Sequence, residues 1–320
     1  MLVKTDRFSV VRILLTVVLV SSLGILKGQQ TPLSPLSYWV FMPYIYNPAM
    51  AGSKDFLSVG ATAAFQDKSN AQLISFNTRL TKNNPRYFSS PETKEFRNIG
   101  IGVSGFKDFD GYSRNTGLNA SASYHIQLNR RGLSFLSLGV ALKDEYSSIN
   151  SVNGNLVKKN FYPNLDIGIY YYGTNFFAGI SAINLLGSQW KPDTLGNFIV
   201  PVSKEYFFTA GTKIILSRSL NIVLEPSVLI LTTDSTLNKL GNNIFPILKL
   251  YLGDFCVGAS YRNVSKLAVF AQFRYPKFYV GAYYELSSKT PYYKNKPTVE
   301  FTLGLNIQTD KSRITNYSQW

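Results

Sequence analysis

The tightest constraint on the fold of this chain is residues 255–286, where apolar and polar side chains alternate through three successive stretches. The pattern predicts three strands, 255–262, 266–274 and 277–287, joined by tight turns. Because successive side chains of a strand point to opposite faces, one face is apolar with aromatic ends and the other is polar. A water-soluble β-sandwich would also have an apolar face. Each strand, however, has about the length that crosses a bilayer obliquely, which favours a transmembrane β-barrel.

The same alternation recurs along nearly the whole chain. We therefore predict an all-β fold, a transmembrane antiparallel β-barrel of about fourteen strands, since single-chain bacterial barrels use an even number. Closure of the barrel would pair every backbone donor and acceptor, as lipid requires. The predicted strands are 57–66, 71–80, 98–107, 114–127, 132–145, 162–172, 175–184, 205–216, 219–231, 244–252, 255–262, 266–274, 277–287 and 298–308.

The composition fits a barrel in the outer membrane better than a soluble β-protein. Only 16% of the 320 residues are charged, whereas 14% are aromatic. Lys and Arg exceed Asp and Glu by 33 to 18, a net charge of +15. The basic residues are scattered and form no stripe or recognition helix, which argues against nucleic acid as a partner. Outer-membrane lipid, with its anionic headgroups, is the simpler explanation of the charge.

Cysteine and histidine each occur once, as Cys256 and His125. A disulfide framework, a cysteine-based metal site and a histidine-rich zinc site are therefore excluded. Cys256 is interpreted as a small side chain on an inward strand face. We expect no cofactor.

The first 28 residues are typical of a secretory signal peptide. Lys4, Arg7 and Arg12 precede an apolar core at 13–26, and Gly28 is a small residue at a plausible cleavage point. The rival interpretation is an N-terminal membrane anchor, for which the apolar run is short. A barrel protein of the outer membrane must first pass the inner membrane, and the chain has no long apolar segment after the signal that would stop it there.

Residues 29–56 do not alternate, and we interpret them as a plug-like segment. They contain four prolines and a cluster of aromatic residues. Proline is poor inside a sheet, yet the segment is too apolar to extend into water. We expect it to pack in the lumen or at the periplasmic mouth of a barrel spanning 57–308; the alternative is a short linker. A tail at 309–320 follows the last predicted strand.

The links between predicted strands differ in length on the two sides. One side has mostly short turns, and the other has longer links at 146–161, 185–204, 232–243 and 288–297. Short periplasmic turns and long outer loops are the usual asymmetry, which predicts both termini in the periplasm. The inner loop 81–97 breaks this rule. It is a candidate contact for a periplasmic partner or simply a spare loop.

The alternation also predicts which polar side chains point into the lumen. Both signs of charge are present, so the lumen is expected to be polar and without strong selectivity. The candidates are His125, Lys143, Glu145, Asp166, Glu205, Lys213, Glu225, Lys249, Arg262, Arg274, Glu285 and Glu300. As catalytic acids they would need a pair at a defined separation. We interpret them as solvation of the lumen and predict no enzymatic activity.

Several stretches resemble the PorP/SprF family of type IX secretion system outer-membrane proteins of Bacteroidetes. The similarity spans almost all of the chain after the signal, and its most specific element is the N-P-A-x-A-G motif of Asn47, Pro48, Ala49, Ala51 and Gly52. The matching stretches are 44–53, 110–128, 161–186, 204–230, 255–263 and 298–307. Two features depart from the family pattern: a short first outer turn at 67–70 and the tail at 309–320.

The resemblance implies a place in the type IX secretion and gliding apparatus of the outer membrane. Family members are required for delivery or attachment of adhesin-like cargo proteins. They are thought to engage the C-terminal domain of the cargo, and are linked to the periplasmic ring lipoprotein and its partner. The alternative is a transport barrel, either a plugged porin or a carrier of apolar solutes. A membrane-embedded hydrolase is a third interpretation, which the lack of Ser/His/Asp spacing around His125 disfavours.

Overall fold

A computed structural model describes most of the barrel and the segment that precedes it. The described residues are 36–54, 56–66, 69–80, 98–110, 113–129, 134–150, 156–187, 204–233, 244–261, 266–275, 278–287 and 298–308. The predicted signal peptide 1–28, residues 29–35, the predicted inner loop 81–97, Arg262 and the tail 309–320 lie outside the described residues. Among the described residues, no helix is long and apolar enough to cross a membrane.

The described strands form one antiparallel sheet that closes on itself. Neighbours in sequence pair with each other, except that β8 and β9 both pair with β10. β1 also pairs with β15, from Phe56 opposite Gln308 to Phe65 opposite Val299. The strands are β1 (Phe56–Gln66), β2 (Ser69–Arg79), β3 (Ile99–Asp110), β4 (Ser113–Asn129), β5 (Ser134–Asn150), β6 (Leu156–Tyr172), β7 (Phe176–Ile183), β8 (Glu205–Thr212), β9 (Ile214–Ser217), β10 (Ile222–Thr233), β11 (Ile244–Leu252), β12 (Phe255–Tyr261), β13 (Lys266–Tyr275), β14 (Phe278–Ser287) and β15 (Thr298–Gln308).

The barrel has fourteen strands, as predicted. β8 and β9 both pair with β10 and are separated only by Lys213, so they are two parts of one strand position. The alternation in the sequence predicts one strand at this position, 205–216. The interruption shortens β8 but leaves the closed hydrogen-bonded ring intact, which is the condition for placing strands in lipid.

Side chains alternate between the outside and the lumen as the sequence predicted. On β4, Leu118 and Tyr124 point outward and are 65% and 50% exposed, whereas His125 points inward and is fully buried. On β15, Phe301 is 56% exposed and Glu300 is 1% exposed. Apolar side chains on the outside with polar ones inside are the reverse of a soluble protein, and they match a barrel in lipid.

We call the two ends of the barrel the terminal end, where β1 begins and β15 ends, and the far end. Turns at the terminal end include 173–175, 218–221 and 253–254. Gly253, at a φ of +60°, allows the tight turn between β11 and β12 because it has no side chain to clash.

The expected far-end link 146–161 is mostly strand. β5 continues to Asn150 and β6 starts at Leu156, so both have 17 residues, as β4 does. The prediction ended these strands too early because the sequence there is rich in Ser, Asn and Lys. Beyond the bilayer both faces of a strand can meet water, so apolar alternation no longer marks it.

Residues 39–54, the lumen segment, lie inside the terminal half of the barrel. The segment contains the end of α1 (Leu36–Phe41) and two 3₁₀ helices, Pro43–Ile45 and Pro48–Met50. Each 3₁₀ helix begins with a proline, whose fixed φ suits the first helical position. The expected packing of this segment in the lumen is therefore observed.

A candidate binding site in the lumen

Aromatic side chains of the lumen segment pack against two separate parts of the barrel wall. Phe41 contacts Phe270 of β13 edge to face, with ring centroids 6.4 Å apart. Tyr46 packs on Phe207 of β8 at 4.9 Å. The lumen segment therefore crosses the lumen, and it buries apolar rings that would otherwise meet water.

Asn47 holds the second 3₁₀ helix and ties it to β6 and β7. Its Oδ1 accepts a hydrogen bond from the backbone N–H of Ala49 at 3.0 Å, as a helix cap does. Its Nδ2 lies 3.2 Å from the carbonyl oxygen of Ile169 and 3.5 Å from that of Ile180. Asn47 is 1% exposed, so an amide that both accepts and donates is the group that satisfies this buried position.

The Ala51 and Gly52 end of the motif is held by a chain of polar side chains. Ser123 Oγ donates to the Ala51 carbonyl oxygen at 2.6 Å, and His125 Nε2 lies 2.9 Å from the same atom. A carbonyl oxygen only accepts, so Nε2 carries the proton. His125 Nδ1 then accepts from Tyr172 Oη at 3.0 Å. His125 thus acts as a structural link between the wall and the lumen segment.

Arg79 completes this network. Its Nε donates to the Gly52 carbonyl oxygen at 2.7 Å, and its Nη2 donates to Tyr172 Oη at 2.6 Å. Asn77 Oδ1 accepts from the Gly52 N–H at 2.7 Å. Gly52 has a φ of +63°, and an added Cβ would collide with the Gly100 backbone. The motif glycine is therefore required by both its backbone angle and its close approach to β3.

Glycines on the inner wall make room for the lumen segment. An ideal Cβ on Gly139 of β5 would overlap the backbone of Pro48 and Ala49, and one on Gly100 of β3 would overlap that of Ala51. Gly168 of β6 similarly faces the Asn47 side chain. These glycines form a groove in the inner wall, and the motif lies in this groove.

Two further wall contacts fix the segment. Ser181 Oγ donates to the Tyr46 carbonyl oxygen at 2.6 Å, and Tyr44 Oη donates to the Val103 carbonyl oxygen at 3.1 Å. Burial raises the pKa of Tyr44 above its ordinary value, so the phenol stays a neutral donor.

A cavity of about 30 Å³ between Tyr44, Ser58 and Asn77 has room for about one water molecule. The segment closes this part of the lumen tightly.

The predicted lumen charges form separate groups. Lys249 Nζ lies 3.1 Å from Glu225 Oε1, and Tyr251 Oη donates to Glu225 Oε2 at 3.2 Å. Lys143 and Glu145 make a looser pair at 3.5 Å. Of the predicted lumen residues whose side chains the structure describes, only His125 contacts the N-P-A-x-A-G motif.

The remaining candidates are spread around the wall. Asp166 Oδ1 accepts from the Asn184 N–H at 2.8 Å, and Tyr283 Oη donates to Glu285 Oε2 at 3.3 Å. Glu300 is buried, and Glu205 and Lys213 are half-buried at the two ends of β8. Arg274 belongs to β13, but its side chain is outside what the structure describes. Among the described residues, no three His, Cys, Asp or Glu side chains are placed to hold a metal ion.

Sequence reasoning missed most of the residues that hold the lumen segment. Arg79 and Ser123 were not singled out, although both lie at inward positions of their strands. Alternation along β2 could have identified Arg79, because it lies on the same inward face as Ser75 and Asn77. The inner-wall glycines carry no such signal, since alternation says nothing of what fills the space in front of them.

Residues 28–305 match the family described as type IX secretion system membrane protein PorP/SprF. A search of curated proteins finds no match.

Solved barrels show only a distant likeness to this fold. The P. putida toluene transporter TodX is 9% identical with a TM-score of 0.44, covering 82% of this chain and 92% of TodX. The Ralstonia pickettii toluene transporter TbuX is 8% identical with a TM-score of 0.43, covering 88% and 95% of the two chains. The monoaromatic hydrocarbon channel CymD is 10% identical with a TM-score of 0.40, covering 88% and 94%. At these scores the likenesses carry no conclusion about function.

Proposed function

Because this chain belongs to the type IX secretion system membrane protein family PorP/SprF, we propose that it is the component that binds adhesin-like cargo for surface delivery or anchoring. Family membership and the closed barrel with an apolar exterior place it in the outer membrane as part of that system. The cargo-binding role is our proposal, and binding rather than catalysis is its mechanism.

The observation that carries the proposal is the lumen segment. A barrel that conducts solutes needs a passage, whereas this lumen is crossed by residues 39–54. Side chains of β2, β4 and β7 hold them in place. These bonds join buried groups and involve several walls at once, so the segment is a fixed part of the fold. Such a barrel suits a scaffold that presents binding surfaces at its two ends.

The two ends would have different partners. With the terminal end in the periplasm, the lumen segment and the inner loop 81–97 would face the ring lipoprotein of the machinery and its associated components. The far end, with the tall strands β4, β5 and β6 and the outer loops, would face the C-terminal domain of the cargo. The remaining polar lumen contacts, such as Lys143 with Glu145, would line the approach from the far end.

Deletion of the gene tests the cargo role. Loss of one or a few adhesins from the cell surface, restored by the wild-type gene, would support it. Unchanged surface adhesins and unchanged gliding in the deletion strain would contradict it. Crosslinking with pull-down from cell envelopes would then identify the cargo and the periplasmic partner.

The alternative function is a transport barrel with an inserted N-terminal segment. Single-channel conductance and liposome swelling separate the two functions, because a barrel closed by residues 39–54 should be nearly silent. Large steady conductance, or rapid uptake of an apolar solute, from the intact protein would favour transport.

A further inference from the structure

On the neighbouring strands β2, β3 and β4, the outward side chains change from apolar to polar toward the far end of the barrel. The exposed apolar series ends at Ile74 on β2, at Val103 on β3 and at Leu118 on β4. Beyond these positions the outward side chains form what we call the rim patch, which consists of Asn70, Gln72, Lys107, Phe109, Arg114 and Thr116.

The strand register brings the two cations of the rim patch together. Lys107 is opposite Gln72 of β2 on one side and Thr116 of β4 on the other. In the next outward row Arg114 is opposite Phe109, and its guanidinium carbon lies 5.9 Å from the centroid of that ring. Lys107 and Arg114 are therefore diagonal neighbours, with roots about 7–8 Å apart. Their long side chains can both reach one anion between them.

The positive charge is a local feature of this side of the barrel. Among the described residues of β1–β5, Asp144 is the one carboxylate on the outward face, and it is opposite Leu118. Two strand spacings, about 10 Å, separate it from Lys107. Other strands keep apolar side chains outward at the far end: Phe65 on β1, Ile244 on β11 and Leu267 on β13.

The rim patch lies at the level of the lipid headgroups. On β4 the outward side chains from Leu118 to Leu128 are apolar or aromatic, and they fill the about 9–11 residues with which a tilted strand crosses a bilayer. Thr116 and Arg114 follow directly beyond this belt. An aromatic side chain at the border, here Phe109, is typical of such barrels. Lipid phosphates lie at the same level, and basic side chains attract them.

We propose that the rim patch binds a phosphorylated glycolipid of the outer leaflet. Lys107 and Arg114 hold the phosphate by charge-assisted hydrogen bonds, and Gln72 and Thr116 bond to the sugar. The polar groups extend over three strands, about 10 Å, which is wider than a single phosphate and suits a sugar headgroup that carries one. The choice of a glycolipid over a phospholipid rests on the proposed function, which puts the far end outside the cell.

Native mass spectrometry of the purified protein tests the site, with phosphorylated lipid A as the probe. Lys107→Gln and Arg114→Gln each remove one charge. We expect either variant to weaken binding about fivefold, and the double variant to weaken it about twentyfold or more. The matched control is Arg218→Gln in the exposed turn at the terminal end, which should bind as the wild type does. Equal loss in Arg218→Gln, or no loss in the double variant, overturns the site.

Two further lipids separate the possible sources of the phosphate. Lipid A without its phosphates should bind the wild type about fivefold more weakly or worse. Phosphatidylglycerol should also bind more weakly than lipid A, because it has no sugar for Gln72 and Thr116. Equal binding of dephosphorylated lipid A overturns the role of the two cations. Phosphatidylglycerol that binds as tightly as lipid A, with the same dependence on Lys107 and Arg114, overturns the choice of a glycolipid.

Chemical modification of the wild-type protein gives a second measurement that does not depend on the folding of a variant. Phenylglyoxal reacts with accessible arginine side chains, so lipid A should slow its reaction with Arg114 and leave that with Arg218 unchanged. The same rate at Arg114 with and without lipid A overturns the inference. Neither assay contains a cargo protein. A failure of the lipid site is therefore distinct from a failure of the cargo role, which the deletion strain tests.

Discussion

At the scale of single residues, the lumen segment is held by two kinds of residue: glycines of the wall that leave space for it, and polar side chains that hydrogen-bond to it. Gly139 faces the Pro48–Ala49 peptide so closely that no Cβ fits. Arg79 and His125 contribute hydrogen bonds that satisfy the carbonyl oxygens of Gly52 and Ala51. Both kinds of residue serve to hold one short segment, because buried backbone groups without partners are costly.

Gly139→Ala should lower the free energy of unfolding. The added methyl group meets backbone atoms of Pro48 and Ala49, which cannot move without shifting the whole lumen segment, and overpacking of this kind costs about 1–3 kcal/mol. Denaturant titration of the protein refolded into bilayers measures the effect. The control is Gly173→Ala, where the nearest atom would be 3.6 Å away and stability should not change. Equal stability of both variants would contradict the close approach.

Lys249→Met should be strongly destabilising because it leaves Glu225 buried without its cation. The loss expected from breaking a buried pair is about 3–5 kcal/mol, and Glu225 has a side chain only 5% exposed. The double variant Glu225→Gln, Lys249→Met should recover most of the stability. As a control, Lys143→Met disrupts the looser pair with Glu145, at 3.5 Å, and should lose less than about 1 kcal/mol. A small effect of Lys249→Met, or no recovery in the double variant, would show that the pair is not essential.

At the scale of elements, the lumen segment behaves as a part of the barrel although it contributes no strand. Its 3₁₀ helices are too short to be stable alone, so tertiary contacts must hold them. Asn47 supplies the contacts to β6 and β7, and Arg79, Ser123 and His125 supply those to Gly52 and Ala51. Loss of either group should loosen the segment without opening the sheet.

Asn47→Ala tests this separation of segment and sheet. It removes the cap on Ala49 and the donor to Ile169, for an expected loss of about 2–4 kcal/mol. Asn47→Asp keeps the acceptor but lacks the donor and adds a buried charge, so it should lose at least as much. Protease sensitivity within residues 39–54 and flickering conductance should increase in both variants, while the exposed-turn control Thr174→Ala should match the wild type. Full protection of the segment in Asn47→Ala would contradict the assignment.

Sequence alone could predict much of this element, but not its contacts. Prolines and aromatic residues in 29–56 indicate a packed segment, and alternation places His125 and Glu225 inside. The contact between Arg79 and Gly52 depends on the path of the segment through the lumen, which no local pattern encodes. The length of β5 and β6 was underestimated for a related reason, since hydropathy periodicity ends where a strand leaves lipid, at residues such as Ser148 and Lys159.

At the scale of the whole molecule, the exterior decides where the protein can reside. Large apolar side chains are exposed on nearly every strand, from Ile74 on β2 to Leu303 on β15, while the acidic residues Glu225 and Asp166 are buried in the lumen. In water such a surface would aggregate, and in a bilayer it is the expected lipid contact. The lipid bilayer accounts for three features together: the closed ring of strands, the outward apolar belt and the polar lumen.

Val140→Arg tests that environment directly. Val140 lies midway along the outward belt of β5, opposite Ala122 and Ile167, and is 46% exposed. An arginine facing the bilayer midplane costs about 2–4 kcal/mol, so the variant should unfold at lower denaturant and insert poorly into the outer membrane. Leu220→Arg, in the turn before β10 and 68% exposed, should behave as the wild type because its side chain lies outside the hydrocarbon. If Val140→Arg were harmless, the outward face would be in water, and the position of this barrel in the secretion machinery would have to be abandoned.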